Sequence, residues 1–371
     1  MIILIPTLEP TLALVELIES LQHEVPAARV LIVDDGSGPE YQTAFNALDR
    51  RNVTVIGYGV NRGKGYALRT GFIWCMEHAP DEAVVCADSD GQHRPADIAK
   101  VGAEALTYPD AVVLGVRAFQ GKVPARSRFG NWATAMFFRL ATGVKIKDTQ
   151  TGLRAYGSHQ LRSLMNVPGD RFEWELNALL AAADAKQEII QVPIDTVYEN
   201  GNSGSHFRPV ADSLRVFRPL LSFGAVGLGC WVLEMFVFVM LANALGMSGP
   251  VGLAFAVVLS RIASGTVNFL ANKHKVFGDT SKGGTRKQVV QYVALAIALL
   301  SITIVGVEIL TLVGLTPWIA KVILDVCCFA LSFSVQRRWI FSREPDDEPI
   351  EPVTHGHLHY EFTRQGHDVV V

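Results

Sequence analysis

The chain has 371 residues, of which 33 are Lys or Arg and 36 are Asp or Glu, for a net charge of −3. That near-balance excludes a protein whose whole surface is built to bind nucleic acid, and 49% hydrophobic residues exclude a mainly disordered chain. A mean hydropathy of +0.26 is high for a wholly water-soluble protein. The five cysteines, Cys75, Cys86, Cys230, Cys327 and Cys328, form no C-x-x-C pair and no even set, so they read as reduced, buried thiols.

Met1 runs straight into Ile2–Ile5, a short apolar strand ended by Pro6; with no basic leader or cleavage site, the N-terminal part is expected to stay on the side where it is made. Pro10 suits a helix start, and Leu14, Leu17, Ile18 and Leu21 give that helix one apolar face. Val30–Val33 is the next strand and leads into Asp34-Asp35-Gly36-Ser37. Val53–Ile56 is a third strand, and the turn Asn61-Arg62-Gly63-Lys64-Gly65 opens a helix that runs to about His78. Ala83–Ala87 is a strand that stops at Asp88-Ser89-Asp90; Ala96–Leu106 is helical; Ala111–Val116 is a strand ending at Arg117. Strands alternating with helices mean an α/β, Rossmann-like domain with a mostly parallel sheet covered on both faces. Ligands bind such sheets at the carboxyl ends of the strands, where Asp34, Asp35, Asp88, Asp90 and Arg117 all fall.

Asp88-x-Asp90 behind a buried strand is the most informative of these. Two carboxylates at i and i+2 on a turn can converge on one divalent ion, and hard oxygen ligands suit Mg²⁺ or Mn²⁺, which complete their shells with phosphate oxygens and water. Gln92 can supply a further oxygen; the plain alternative is a solvated turn or a helix cap. Asp34-Asp35 reads either as an N-cap arrangement with Ser37 or as a carboxylate accepting from a ribose hydroxyl or a base edge. The Asn61–Gly65 turn lacks the P-loop spacing, yet its glycines would let backbone amides approach a diphosphate, with Lys64 as a point charge. Further on, Trp132, Met136, Phe137 and Phe138 lie within Gly130–Leu140, either on an interfacial helix or in a core.

From Leu220 the composition changes. Leu220–Leu245, Val251–Leu270, Val289–Val313 and Trp318–Val335 each approach or exceed the roughly 20 apolar residues that a membrane crossing needs. The loop between the second and third spans holds Lys273, Lys275, Lys282, Arg286 and Lys287, and Arg337, Arg338 and Arg343 follow the fourth, whereas the two short hairpin links carry no Lys or Arg. By the positive-inside rule both termini and the middle loop are cytoplasmic. Spans two and four end alike, in Phe269-x-x-Asn272-Lys273-x-x-Val276-Phe277 and Phe333-x-x-Gln336-Arg337-x-x-Ile340-Phe341, the mark of two hairpins repeated in one orientation. Glu234, Arg261, Glu308, Lys321 and Asp325 are charged residues within spans, and Arg261 is expected to face the bundle interior with Glu234, Glu308 or Asp325.

The run IPTLEP, VDDGS, NRGKGYALRTG, DSDGQH, GVR and DTQTGLRAY, in this order over residues 1–220, resembles the family 2 glycosyltransferases of GT-A fold, and within them the polyprenyl-phosphate (dolichol- and undecaprenyl-phosphate) mannosyl- and glucosyltransferases. The four-span part, with Arg261-x-x-Ser264-x-x-x-Asn268-Phe269-x-x-Asn272-Lys273, resembles the GtrA-like membrane family. The resemblance implies that Pro6 and Asp35, with Asp34 beside it, hold the nucleoside of a sugar donor; that Asp88, Asp90 and Gln92, flanking Ser89, hold Mg²⁺ or Mn²⁺ and the diphosphate; and that Arg117 lies near the phosphates. It further implies that Asp148 and Gln150–Arg154 floor the sugar and acceptor pocket, and that Ser205 and His206 belong to a loop closing over the donor. Relatives read Y-N-E where Leu8-Glu9-Pro10 stands here, so Glu9 is left out of the site.

The expected reaction moves a hexose from a nucleotide-diphosphate sugar, GDP-mannose or UDP-glucose foremost, to a polyprenyl phosphate at the inner membrane. The acceptor is already an anion at neutral pH, its second phosphate pKa being about 6, so the site needs cations more than a strong base. Arg117, Arg126 and Arg128 are placed to supply them, the last two serving equally well at a lipid headgroup surface. The domains expected are 1–219 catalytic and cytoplasmic, 220–342 membrane-spanning, and 343–371 a disordered tail, with a homo-oligomer left open and no nucleic-acid partner. A processive polysaccharide synthase would carry Q-x-x-R-W behind the catalytic domain; Gln336-Arg337-Arg338-Trp339 is one residue short and follows the last span. A transferase domain serving translocation or scaffolding of the lipid-linked sugar is the other alternative.

Overall fold

A computed structural model describes residues 1–48, 51–117, 125–195, 217–244, 249–277, 284–341 and 361–362. They form an α/β unit and a helical unit.

In the α/β unit, β1 (Ile2–Thr7), β2 (Arg29–Asp34) and β3 (Val53–Gly57) pair in parallel, and β4 (Val84–Cys86) runs parallel to β1 on its other side. β5 (Val112–Arg117) and β7 (Ile189–Ile194) are parallel to each other. Between β4 and β5 lies β6 (Arg154–Tyr156), antiparallel to both, which the alternation of strands and helices does not announce. The order is β7-β5-β6-β4-β1-β2-β3, with the two-residue β8 (Glu361–Phe362) antiparallel to β3; the rest of the expected disordered tail lies outside the described residues.

β1 is buried along its whole length because helices cover both its faces. Ile3 and Ile5 join Leu14, Leu17, Ile18 and Leu21 of α1 (Leu12–Glu24) in one buried cluster, which also takes in Ile98 and Val101 from the helix over Pro95–Thr107. Leu4, on the opposite face, meets Gly71. Thr11 is the N-cap of α1, so Pro10 lies just outside the helix rather than in its first turn. A short α2 (Gln42–Asn46) is followed by α3 (Lys64–His78) and α4 (Pro95–Thr107). On α5 (Ala125–Thr142), Trp132 and Met136 are exposed while Phe137 and Phe138 are buried, so the aromatic stripe is divided between two environments. α6 (Leu161–Leu164) and α7 (Glu173–Asp184) complete the unit. Cys75 and Cys86 are buried, and burial pushes both thiols up, Cys75 to about 12. Cys327 departs from the all-buried expectation: it is exposed on the last membrane-length helix, whose outer face is apolar and faces no protein core.

The helical unit is built inside out by comparison. α8 (Arg218–Val239), α9 (Gly249–Ala271), α10 (Thr285–Leu312) and α11 (Pro317–Val335) fall on the four expected spans. All are long and apolar enough to cross a membrane, with mean hydropathies of 1.6 to 2.5 in their most apolar windows. Their outer residues, Trp231, Phe236, Ile262, Leu300 and Val326 among them, are exposed, as a bilayer solvent requires.

The repeated ends of α9 and α11 meet each other. Asn272 Nδ2 donates to Gln336 Oε1 at 3.0 Å, both residues being buried. Each starts a π-helical turn that closes with the same bond, Phe277 N to Asn272 O at 2.9 Å and Phe341 N to Gln336 O at 2.8 Å. The aromatic pairs exchange as a two-fold relation demands: Phe269 lies 5.5 Å from Phe341, and Phe333 lies 5.7 Å from Phe277, between ring centroids. Arg261 does pair with Glu234, Nη2 to Oε1 at 3.0 Å, but its side chain is 73% exposed rather than interior. Glu234 is nearly enclosed and also accepts from Ser264 Oγ at 3.2 Å, so the long Arg side chain reaches its partner along the outer surface. Asp325 pairs with Lys321 on its own helix, and Glu308 is exposed.

Asn272→Ala removes a partner from the buried Gln336 amide and is expected to cost about 1–3 kcal/mol, seen as a lower thermal unfolding midpoint in detergent. Gln336→Ala should then cost less in that background than alone; equal costs in both would show the two halves to be energetically independent.

Candidate active site

Parallel strands end together, and the candidate residues gather because of it. At the exit of β2, Asp34 Oδ1 accepts from Ser37 N at 3.0 Å and Ser37 Oγ at 2.5 Å, closing the turn rather than capping a helix. Asp35 is buried at 4% exposure and lies beneath the Asn61–Gly65 turn. Its carboxylate accepts from Tyr58 Oη at 2.7 Å, Arg62 N at 2.8 Å and Gly63 N at 2.8 Å. Gly63 holds φ at +106°, which L side chains rarely adopt, and so turns its amide onto that carboxylate. Burial lifts the Asp35 carboxyl above its ordinary value even against these donors. Burial, then the Asp35 charge, pushes the Tyr58 phenol up, which keeps it a neutral donor. Pro6 sits in β1 opposite Val33 of β2.

At the exit of β4, Lys64 Nζ from the first turn of α3 reaches Asp88 Oδ1 at 2.5 Å and Glu175 Oε1 at 2.9 Å. His93 Nε2 stands 3.4 Å from Asp88 Oδ2. Burial works against the Asp88 charge, but Lys64 and His93 outweigh it and hold the carboxyl well below the usual carboxylate range. Lys64 is the mirror case: burial pulls its ammonium down, while Asp88 and Glu175 together raise it above its ordinary value. Asp90, two residues on, accepts from Gln92 N at 3.1 Å; burial first, and then the Asp88 charge, raise its carboxyl. Ser89 and Gln92 are half-buried on the same turn.

The reversed β6 brings in the third group. Arg154, at its start, pairs in register with Cys86 of β4 and Leu114 of β5, so residues 148–153 lie at the same edge as Asp88. A Cβ built on Gly152 would run into the Asp88 carboxylate. Asp148 is fully buried and takes a two-pronged bond from Arg117, Nε to Oδ2 at 2.6 Å and Nη2 to Oδ1 at 3.0 Å, with Gln150 N adding 3.1 Å to Oδ1.

Arg154 and the Gln150 side chain lie outside these ion pairs. Arg154 is 1% exposed and gives its guanidinium to the backbone carbonyls of Thr151, Thr149 and Glu175, bracing the turn from beneath. Gln150 and Arg128 are exposed; for Arg126 the backbone alone is described, within α5; Ser205 and His206 lie outside the described residues. Glu175, His93 and Tyr58 are partners that sequence reasoning passed over. His93 closes the DSDGQH run that carries Asp88 and Asp90, and that proximity was the available signal; no spacing rule links Glu175 to Lys64.

Residues 2–161 match the family described as glycosyl transferase family 2, and residues 222–341 match the GtrA/DPMS transmembrane domain. The chain is 31% identical over 188 residues to the UDP-N-acetylglucosamine–dolichyl-phosphate N-acetylglucosaminyltransferase of Methanococcus voltae, covering 46% of this chain and 74% of that protein. It is 28% identical over 201 residues to the undecaprenyl-phosphate mannosyltransferase of Micrococcus luteus, covering 52% of this chain and 82% of that protein. Among solved structures it resembles a mannosyltransferase from Pyrobaculum calidifontis in complex with GDP-Man and Mn²⁺, at 15% identity and a TM-score of 0.36 over 91% of this chain and 86% of that one. It also resembles glucosyl-3-phosphoglycerate synthase from Mycobacterium tuberculosis in complex with Mn²⁺, UDP and phosphoglyceric acid, at 18% identity and a TM-score of 0.45 over 60% of this chain and 75% of that one. With those two stretches matched in tandem, the chain belongs to glycosyl transferase family 2 and is an integral membrane protein carrying a GtrA/DPMS transmembrane domain behind its transferase domain.

Proposed function

We propose that this glycosyltransferase moves a hexose from a nucleoside-diphosphate sugar to a polyprenyl phosphate, with the transferase domain on the cytoplasmic side of the inner membrane. The observation that carries this reading is the gathering of Asp88, Asp90, Lys64 and the Arg117–Asp148 pair along one carboxyl edge. The four membrane-length helices of the same chain add the reason for a lipid acceptor, because a polyprenyl tail leaves a bilayer only at about 0.8 kcal/mol per CH₂. The names of the relatives, which include dolichyl- and undecaprenyl-phosphate transferases, support the same acceptor class.

The residues present fit a divalent cation shared with a diphosphate. Asp88 and Asp90 are hard oxygen donors whose charges repel, Gln92 adds a carboxamide, and no group of three His, Cys, Asp or Glu side chains stands ready to cage an ion among the described residues. Asp88, Asp90 and Gln92 would hold Mg²⁺ or Mn²⁺, which neutralises the departing diphosphate. Pro6, Asp34 and Asp35 shape the nucleoside side, Asp35 by fixing the turn that presents Lys64. Arg117, held flat by Asp148, offers its guanidinium to the phosphates, with Arg126 and Arg128 on the following helix and Gln150 on the facing loop. Ser205 and His206 would act on the donor only as the sequence resemblance implies. One phosphate oxygen of the acceptor forms the new bond to the anomeric carbon as the bond to the diphosphate breaks, which inverts that centre. The acceptor arrives ionised, so Asp148 serves orientation and no side chain has to remove a proton.

Membranes given labelled nucleotide sugars, GDP-mannose and UDP-glucose first, with Mg²⁺ or Mn²⁺ and polyprenyl phosphate, should yield label in a lipid cleaved by mild acid. Asp90→Ala should lower that yield by about a hundredfold or more; full activity would remove the metal assignment. Arg117→Met leaves the Asp148 carboxylate buried without its cation and is expected to cost about 3–5 kcal/mol of stability, measured by thermal unfolding, with part of the loss regained when Asp148→Asn is added. For orientation, Leu315→Cys in a cysteine-free background should react with an impermeant maleimide on intact cells and Thr285→Cys only after permeabilisation; the reverse pattern would overturn the cytoplasmic placement.

A further inference from the structure

The Lys64 ammonium is held by two carboxylates that come from distant parts of the chain. Asp88 Oδ1, at the exit of β4, is 2.5 Å away, and Glu175 Oε1, in the first turn of α7, is 2.9 Å away. Lys64 and Glu175 are both largely enclosed, with side-chain exposures of 15% and 10%. Phe172 lies on the same side, its ring centroid 6.0 Å from Nζ. The second Asp88 oxygen faces His93 Nε2, and Asp90 stands close enough for Asp88 to oppose its charge. A divalent cation drawn to Asp88 therefore meets an ammonium already bonded to one of the two oxygens it would use. Two cations on one carboxylate repel strongly where water is scarce. The ammonium can yield without being left buried and unpaired only if a second carboxylate is within reach, and Glu175 is that carboxylate.

We propose that Lys64 competes with the divalent cation for Asp88, and that Glu175 is a positioning residue which acts through Lys64 by keeping the ammonium paired when the cation displaces it from Asp88. This rests on the metal reading given under the proposed function and adds to it the group that sets how readily the cation enters. It makes the cation site conditional: the negative charge of a nucleoside diphosphate favours the cation directly, and it also gives the displaced ammonium a second anion to approach.

The test is Mn²⁺ binding to the full chain in detergent, followed by the electron paramagnetic resonance of unbound Mn²⁺, first without nucleotide and then with UDP or GDP. Lys64→Met should bind Mn²⁺ about tenfold more tightly than the wild type without nucleotide, and the added diphosphate should strengthen binding less in the variant. Lys64→Arg, which keeps a cation, should stay near the wild type. Glu175→Gln should weaken Mn²⁺ binding when Lys64 is present and change it by less than about threefold in the Lys64→Met background. If Met at this position prevents folding, Lys64→Gln provides the same comparison. Binding by Lys64→Met no tighter than by the wild type, or an equal effect of Glu175→Gln in both backgrounds, would overturn the competition while leaving the metal reading in place. A wild-type chain that binds no Mn²⁺ even with UDP or GDP would overturn both.

Discussion

The turn before β6 lies against the Asp88 carboxylate, and it can do so only because residue 152 is glycine. That contact joins two halves of the site that are far apart in sequence. The DSD turn follows a parallel strand in the ordinary way, but Asp148 and Gln150 reach the same edge because β6 is reversed between β4 and β5. A parallel strand in that place would have delivered the Asp148 loop to the opposite end of the sheet. Arg154 braces the turn from below by donating to the backbone carbonyls of Thr151, Thr149 and Glu175.

Around that contact the charges are arranged in pairs rather than singly. Arg117 answers Asp148, Lys64 answers Asp88 and Glu175, and Asp35 is answered by backbone amides and a phenol. Each buried carboxylate thus has its own donors, which holds the edge in shape. Asp90 differs, with one backbone amide on its Oδ1 and a carboxyl raised by burial and by its neighbour. In the proposed reaction such an asymmetry suits a cation shared by Asp90 and Asp88, with the other paired groups holding the geometry.

The membrane unit obeys a different solvent. Its outer faces are apolar, and polar contacts concentrate where α9 and α11 end, with Asn272 and Gln336 on a local two-fold relation and the four phenylalanines exchanged around them. Asn268 extends this cluster, taking a bond from Tyr292 Oη at 2.8 Å, and Lys273 adds one to Gln288 Oε1 at 2.8 Å. Such bonds fix helix register where hydrophobic burial between helices gives little drive.

By itself the amino-acid sequence determined what depends on local order. The continuous apolar runs of β1, β2 and β5 can be covered only on both faces, and the four long apolar stretches have the length a bilayer needs. Asp34, Asp35, Asp88, Asp90 and Arg117 follow strand ends directly, so the carboxyl edge was legible from spacing, and the two F-x-x-[NQ] runs announced the repeat. Tertiary structure alone decided what depends on non-local partners. The reversal of β6 is a matter of sheet order, which a three-residue strand does not encode in its own period. Glu175 finds Lys64 across more than a hundred residues, and Arg154, which sequence resemblance assigned to a pocket floor, became a brace because its neighbours present carbonyls. Arg261 chose Glu234 from three possible partners yet stayed on the outer surface, since a long side chain can reach its counterion without turning its helix inward.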